Sequence, residues 1–277
     1  MFKRCNDNMS KLRKEYQKYQ YYLLDLDGVV WRGDKPIHEN IIAIKKLMDL
    51  GKYVYFISNN STRSRLDYVR KLHRMSLKVN VDQVINSAYA TAYYIREVYG
   101  KGKVLIIGEK GLYEEFKQMG FDVYYADKSV DKVDYVVVGL DREFNYTKLT
   151  NAVRHILKGA LFIATNEDAL LPVGDEVIPG AGTMVAAVAT AVGKRPAATI
   201  GKPNTFMINM LSKRDRIELE KSIIIGDRLD TDIAVACKLN IDSLLVLTGV
   251  AKKDNIHNAP CRPTYIADNL LVLFEEC

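Results

Sequence analysis

From residue 21 onward, short unbroken apolar runs alternate with longer segments in which apolar residues recur every three or four positions. Tyr21-Tyr22-Leu23-Leu24, Tyr53-Val54-Tyr55-Phe56-Ile57, Val104 to Ile107, residues 122–125 and 134–138, Leu161-Phe162-Ile163-Ala164, Ile223-Ile224-Ile225 and Ser243 to Leu247 are too short for helices and predict buried strands, with Val84-Ile85 a shorter one. Ile41, Ile44, Leu47 and Met48 share a helical face that stops before Gly51. Further helices are predicted over residues 63–75, 88–98, 112–119, 147–157, 182–192 and 231–238, with a turn-rich stretch running up to Pro179-Gly180. Strands and helices in alternation predict parallel sheets covered by helices.

Polar residues gather where strands end. Asp25 and Asp27 stand two positions apart at the close of the first strand, so both carboxylates point the same way. Ser58 and Asn59 follow the second strand, Gly201-Lys202-Pro203 comes later, and Gly226-Asp227-Arg228-Leu229-Asp230-Thr231-Asp232 follows the run at 223–225. In open α/β sheets ligands bind beyond the carboxyl ends of strands. Like charges there repel unless a cation joins them. Several carboxylates without histidine or cysteine suit a hard cation, Mg²⁺ rather than Zn²⁺. A hydroxyl, an amide and a lysine beside it suit phosphate oxygens, and Gly28 lets backbone amides approach an anion.

Composition changes this picture little. The chain has 277 residues, 48% hydrophobic and 27% charged, as soluble globular proteins do. No apolar stretch is long enough to span a bilayer, and residues 1–20 lack the apolar centre of a secretory signal, so a cytoplasmic location without membrane attachment is expected. Four cysteines without metal-type or redox-type spacing are expected to be free thiols. The net charge of +6 arises partly from the N-terminal residues and the Arg63–Lys78 region. An electropositive surface that draws small anions fits better than a nucleic-acid surface, because no nucleic-acid motif accompanies it. Tyr16, Tyr19, Tyr21 and Tyr22 interleave with basic residues, and packing of a docked N-terminal segment is expected over base stacking. Trp31 is expected to serve packing.

The four clusters together identify a family resemblance. Asp25-Leu26-Asp27-Gly28-Val29-Val30-Trp31, Phe56-Ile57-Ser58-Asn59-Asn60-Ser61, Gly201-Lys202-Pro203 and Gly226-Asp227-Arg228-Leu229-Asp230-Thr231-Asp232 resemble, in order, the four motifs of the haloacid dehalogenase (HAD) superfamily of phosphatases. The Asn-Asn-Ser continuation, Arg32-Gly33 and the form of the fourth motif are similar to subfamily IIA, the branch of NagD-like, p-nitrophenyl and phosphoglycolate phosphatases. Thr165-Asn166-Glu167-Asp168 and Pro179-Gly180-Ala181-Gly182 resemble cap landmarks of that branch. Ser58 stands where many members carry threonine, and either hydroxyl can donate to phosphate.

The resemblance implies a doubly wound, Rossmann-like parallel-sheet core over residues 19–88 and 197–277, an inserted C2-type α/β cap over 89–196, and a basic extension over 1–18 outside the motif pattern. It implies Mg²⁺-dependent hydrolysis of a small phosphorylated metabolite, with p-nitrophenyl phosphate as a convenient substrate and phosphoglycolate, nucleotides or sugar phosphates as candidates. Asp25 would be the nucleophile and Asp27 the general acid and base. Ser58, Lys202, Asn59, Asn60, Leu26 and Gly28 would bind the phosphoryl group. Asp25, the Asp27 carbonyl and Asp227 would hold the metal, and Asp232 would sit near the metal or orient Lys202. Asn166, Asp168, Gly182 and Thr183 are candidate substrate contacts from the cap, and a homodimer through the cap is expected. A phosphotransferase or mutase on the same fold, or a non-catalytic binding protein, are the alternative readings, the intact Asp25–Asp27 pair speaking against the last.

Overall fold

The computed structural model describes residues 11–173, 176–259 and 261–275, so the first ten residues of the predicted extension lie outside the described residues. The chain forms two compact units, one of Met1–Ile57, Leu72–Gln83 and Leu211–Cys277, the other of Ser58–Lys71 and Val84–Met210.

In the first unit five parallel strands lie in the order Tyr265–Ala267, Asp242–Val246, Ser222–Gly226, Tyr21–Leu24, Tyr53–Ser58. Leu24 pairs with Ile225 on one side and Phe56 on the other. Tyr22, Leu23 and Leu24 are almost wholly buried, which is why this run is apolar without alternation. The chain leaves the Tyr21–Leu24 strand toward Tyr53–Ser58 and later returns on its opposite side at Ser222–Gly226. The order therefore reverses at the first strand, and the switch point of the sheet falls where that strand ends, at Asp25. The helix His38–Asp49 buries Ile41, Ala43, Ile44 and Leu47 as the spacing predicts.

Residues 11–19 dock rather than trail. Leu12 bridges Phe274 in antiparallel fashion, Arg13 Nε donates to the Phe274 carbonyl at 2.9 Å, and Tyr16, Tyr19 and Tyr22 are buried. Asp242 accepts Tyr19 Oη at 2.6 Å and Lys18 Nζ at 2.8 Å. Burial pushes the Tyr16 hydroxyl up to about 12. These rings are consumed by packing and cannot stack on bases.

The second unit holds a parallel five-stranded sheet in the order Ala198–Thr199, Leu161–Ala164, Tyr135–Val138, Lys103–Ile107, Asp122–Tyr125. Its core gathers Leu105, Val136, Val138, Phe162, Val185 and Val188. Arg65 of the basic helix turns inward, its Nε 3.1 Å from Glu115 Oε2, so it adds nothing to a basic surface.

Three features depart from expectation. The stretch before Pro179 contains an antiparallel pair, Leu170–Val173 with Glu176–Pro179, whose outward residues Leu170 and Val177 carry no inside–outside pattern to read. The helix expected from Thr231 begins as a π-helical turn, Leu229–Ile233, before Ala234–Leu239. Cys237 and Cys261 form a disulfide, with Cα atoms 6.5 Å apart and a sequence separation of 24, which corrects the expectation of free thiols for this pair. The chain after Val246 folds back toward the helix that bears Cys237, a proximity that sequence spacing does not encode. Cys5 and Cys277 lie outside the described residues. Among the described residues, no helix is long and apolar enough to cross a membrane.

Candidate active site

The first strand delivers Asp25, Leu26 and Asp27 in alternation: both aspartates are half-buried and Leu26 between them is wholly buried. The Leu26 side chain therefore belongs to the core, and only its main chain can meet a ligand. Gly28 turns the chain at φ +79°, a conformation that suits glycine, and a Cβ there would collide with the Asp227 carboxylate. Gly249 meets the same carboxylate from another segment. Asp227 is thus enclosed by glycines and held by main chain, its Oδ2 accepting the Val250 N–H at 2.7 Å and its carbonyl accepting the Ala251 N–H at 3.0 Å. Asn40, buried in the face that also carries Ile44, pins the turn by donating to the Val29 carbonyl at 2.7 Å and accepting the Leu270 N–H at 2.7 Å.

Carboxylate oxygens of Asp25, Asp227 and Asp232 lie within 4.8 Å of one another, with Asp227 and Asp232 buried. Gathering three like charges in such a place is costly without a cation. An all-oxygen donor set with buried members fits a hard divalent ion. Asp230, in the same motif, turns away: Arg228 grips it through two hydrogen bonds of 2.7 and 3.0 Å, and that pairing holds its carboxyl below the usual range.

Trp31 does more than pack. It is buried, and its indole Nε1–H donates to Asp27 Oδ1 at 2.9 Å, fixing the orientation of that carboxylate. The expectation of a purely packing role is incomplete. The clue was the four-residue return of the chain after a glycine turn, which brings an aromatic donor back to the aspartate.

The second unit assembles the neutral and cationic candidates. Ser58, at the end of the Tyr53–Ser58 strand, is buried and accepts the Asn60 N–H at 3.1 Å. Asn60 Oδ1 accepts the Thr62 N–H at 2.9 Å and its hydroxyl at 2.7 Å, so its side chain shapes the turn. Lys202 is buried and its main chain meets the Asn59 carboxamide. Asn59 also reaches Asp168, and Asn166 is buried against the Asn59 carbonyl. The Gly182 N–H donates to the Asp168 carbonyl at 2.9 Å, and Thr183 is exposed with its hydroxyl 3.3 Å from the Ala169 carbonyl. Asn59, Lys202, Asn166 and Asp168 thus come together, while Thr183 stands outside their network.

Comparison with known proteins agrees with this chemistry. A family model described as haloacid dehalogenase-like hydrolase matches residues 22–122, and a second HAD-hydrolase-like model matches 199–273. The 4-nitrophenylphosphatase of Schizosaccharomyces pombe is 32% identical over 95% of this chain and 97% of its own length. An acid sugar phosphatase of Staphylococcus epidermidis is 35% identical over 93% of this chain and 98% of its own. The glycerol phosphate phosphatase of Mycobacterium tuberculosis, solved in complex with magnesium, superposes with a TM-score of 0.85 at 31% identity, covering 96% of this chain and 79% of that one.

Proposed function

Because the chain belongs to the haloacid dehalogenase-like hydrolases of subfamily IIA and is a phosphatase, we propose that it hydrolyses small phosphate monoesters through a phosphoryl group carried on Asp25. The observation that carries this reading is the unequal setting of two carboxylates on one strand end. Asp25 shares its space with Asp227 and Asp232, whereas Asp27 is oriented by Trp31.

Asp25 attacks phosphorus, and its carboxylate oxygen forms the new bond as the ester oxygen departs. Asp27 gives its proton to that leaving oxygen, then takes one from the water that cleaves the aspartyl-phosphate. Splitting hydrolysis this way needs two carboxyl groups, because the group bonded to phosphorus cannot also shuttle the proton. The Ser58 hydroxyl and the main-chain amides at Leu26 and Asn59 bind the phosphoryl oxygens, Gly28 gives them room to approach, the Asn60 side chain shapes the turn, and Lys202 offsets the charge. Asp25, the Asp27 carbonyl, Asp227 and Asp232 would hold Mg²⁺, which supplies charge neutralisation and alignment of the phosphoryl group when bound. The substrate is a small phosphorylated metabolite, admitted by an inserted cap over residues 89–196. Relatives of the chain are named 4-nitrophenylphosphatase, acid sugar phosphatase, phosphoglycolate phosphatase and 5'-nucleotidase, which keeps sugar phosphates, phosphoglycolate and nucleotides among the candidates. The cap also joins two copies of the chain, and a monomer in light scattering at micromolar concentration refutes that part.

Acid quenching during turnover, followed by peptide mass spectrometry, tests the chemistry. A phosphoryl adduct on Asp25 that is absent from Asp25→Asn is expected. Undiminished phosphate release by Asp25→Asn overturns the reading.

A further inference from the structure

The main chain of Lys202 is gripped from both sides by a side chain 143 residues earlier. The Lys202 N–H donates to Asn59 Oδ1 at 2.8 Å, and Asn59 Nδ2 donates back to the Lys202 carbonyl at 2.9 Å. The same Nδ2 donates to Asp168 Oδ2 at 3.0 Å. Both amide hydrogens and the oxygen are then in use.

The ring closes through Asn166. Its Nδ2 donates to the Asn59 carbonyl at 2.8 Å, and its Oδ1 accepts the Asp168 N–H at 3.1 Å. Gly201 admits this packing: a Cβ there would sit 2.7 Å from Asn166 Cβ and 2.8 Å from Asn59 Oδ1.

Asp168 has a specific physical task in the ring. A carboxylate only accepts, so it stabilises the Asn59 rotamer that presents NH₂ to it and to the Lys202 carbonyl, leaving Oδ1 for the Lys202 N–H. Turning the amide over would set its oxygen against a carboxylate and a carbonyl together. The charge on Asp168 therefore locks the direction of the amide.

We propose that Asn59, Asn166 and Asp168 are positioning residues that set the main chain of Lys202, with Asp168 acting through the Asn59 carboxamide instead of touching substrate. This rests on the reading in which Lys202 serves phosphate. Misplacing a catalytic group by an ångström costs on the order of a hundredfold, so Asp168→Ala should lower kcat/KM for p-nitrophenyl phosphate by about ten- to a hundredfold.

Three readings separate positioning from substrate contact. Asp168→Asn, whose side-chain oxygen can still accept the Asn59 N–H but whose charge no longer fixes the direction of the amide, should recover part of the rate lost in Asp168→Ala. In a Lys202→Ala background Asp168→Ala should cost nothing further, because its route to the reaction is gone. Amide hydrogen exchange at Lys202 should quicken in Asp168→Ala while the melting temperature holds. Losses that multiply in the double variant, or unchanged exchange at Lys202, overturn the proposal. Asp168→Ser carries the same comparison where the alanine variant does not fold. A wild-type chain that hydrolyses no phosphomonoester sinks the phosphatase reading alone, because the exchange measurement needs no turnover.

Discussion

The acidic cluster around Asp227 and the amide ring around Asn59 solve opposite problems. The first crowds like charges beside Gly28, Gly249 and the Val250 N–H, a crowding that a cation would relieve. The second is saturated as it stands, each polar atom of the Asn59 side chain matched inside the protein. One region is poised for a ligand; the other is finished without one. A cluster of crowded carboxylates thus occurs in the same chain as a ring in which a single carboxylate is already matched by an amide.

Substitutions can break that contrast. Asp227→Ala removes a buried member of the cluster and should lower turnover at least about a hundredfold, the scale of losing one preorganised group. It should also raise the Mg²⁺ concentration needed for half-activity, and titration of activity against Mg²⁺ checks this. Gly201→Ala disturbs the ring instead. The added methyl must displace Asn166 or Asn59, at about 1–3 kcal/mol of overpacking, and turnover should fall without any change in that Mg²⁺ titration. An altered metal requirement in Gly201→Ala would erase the distinction between the two regions.

The disulfide sharpens it further. Cys261→Ser should destabilise the fold by about 3 kcal/mol on loop-closure grounds, read as a shifted denaturant midpoint. Because residues 250 and 251 donate to Asp227, the variant should weaken Mg²⁺ binding more than it changes Lys202 amide exchange. Trp31→Phe keeps the aromatic bulk and deletes the N–H on Asp27. Alkyl phosphates, whose leaving oxygen needs a proton, should slow by about tenfold, and p-nitrophenyl phosphate much less. Equal losses on both substrates would return Trp31 to packing alone.

The smallest effect lies at the docked N-terminal segment. Desolvation opposes ionisation of Asp242, yet hydrogen bonds from Lys18 and Tyr19 prevail and hold its carboxyl below the usual value. A depressed carboxylate contributes stability above its unfolded pKa of about 3.9 and loses it as pH falls through the folded value. Tyrosine fluorescence should report loosening of residues 11–19 only below about pH 4, with the partly exposed Lys18–Asp242 pair contributing little at neutral pH.

Much of the acidic cluster was legible before any coordinates. Asp25 and Asp227 stand where apolar runs end, and the end of a run marks the end of a strand, while Asp232 lies in the helical turn that follows the second of them. The strand order then places Asp25 at the reversal of the sheet. The amide ring was legible only as residue types. Asn59 read as a phosphoryl contact and Asn166 and Asp168 as substrate contacts, because a hydrogen bond across 143 residues leaves no periodic trace. The Cys237–Cys261 bond was hidden for the same reason, the Trp31 donor left a clue only in its four-residue return to Asp27, and the hairpin of Leu170–Val173 with Glu176–Pro179 was hidden because exposed strands need not alternate.

The Asn59 ring has a consequence for how such proteins can be recombined. A graft that exchanges residues 89–196 for a foreign insert would import Asn166 and Asp168 from the donor while Asn59, Gly201 and Lys202 stay with the host. Inserts are then interchangeable only between chains that agree at these few positions. Transplanted specificity would otherwise arrive with a misaligned lysine, and a swap made at 58 and 202 would travel intact.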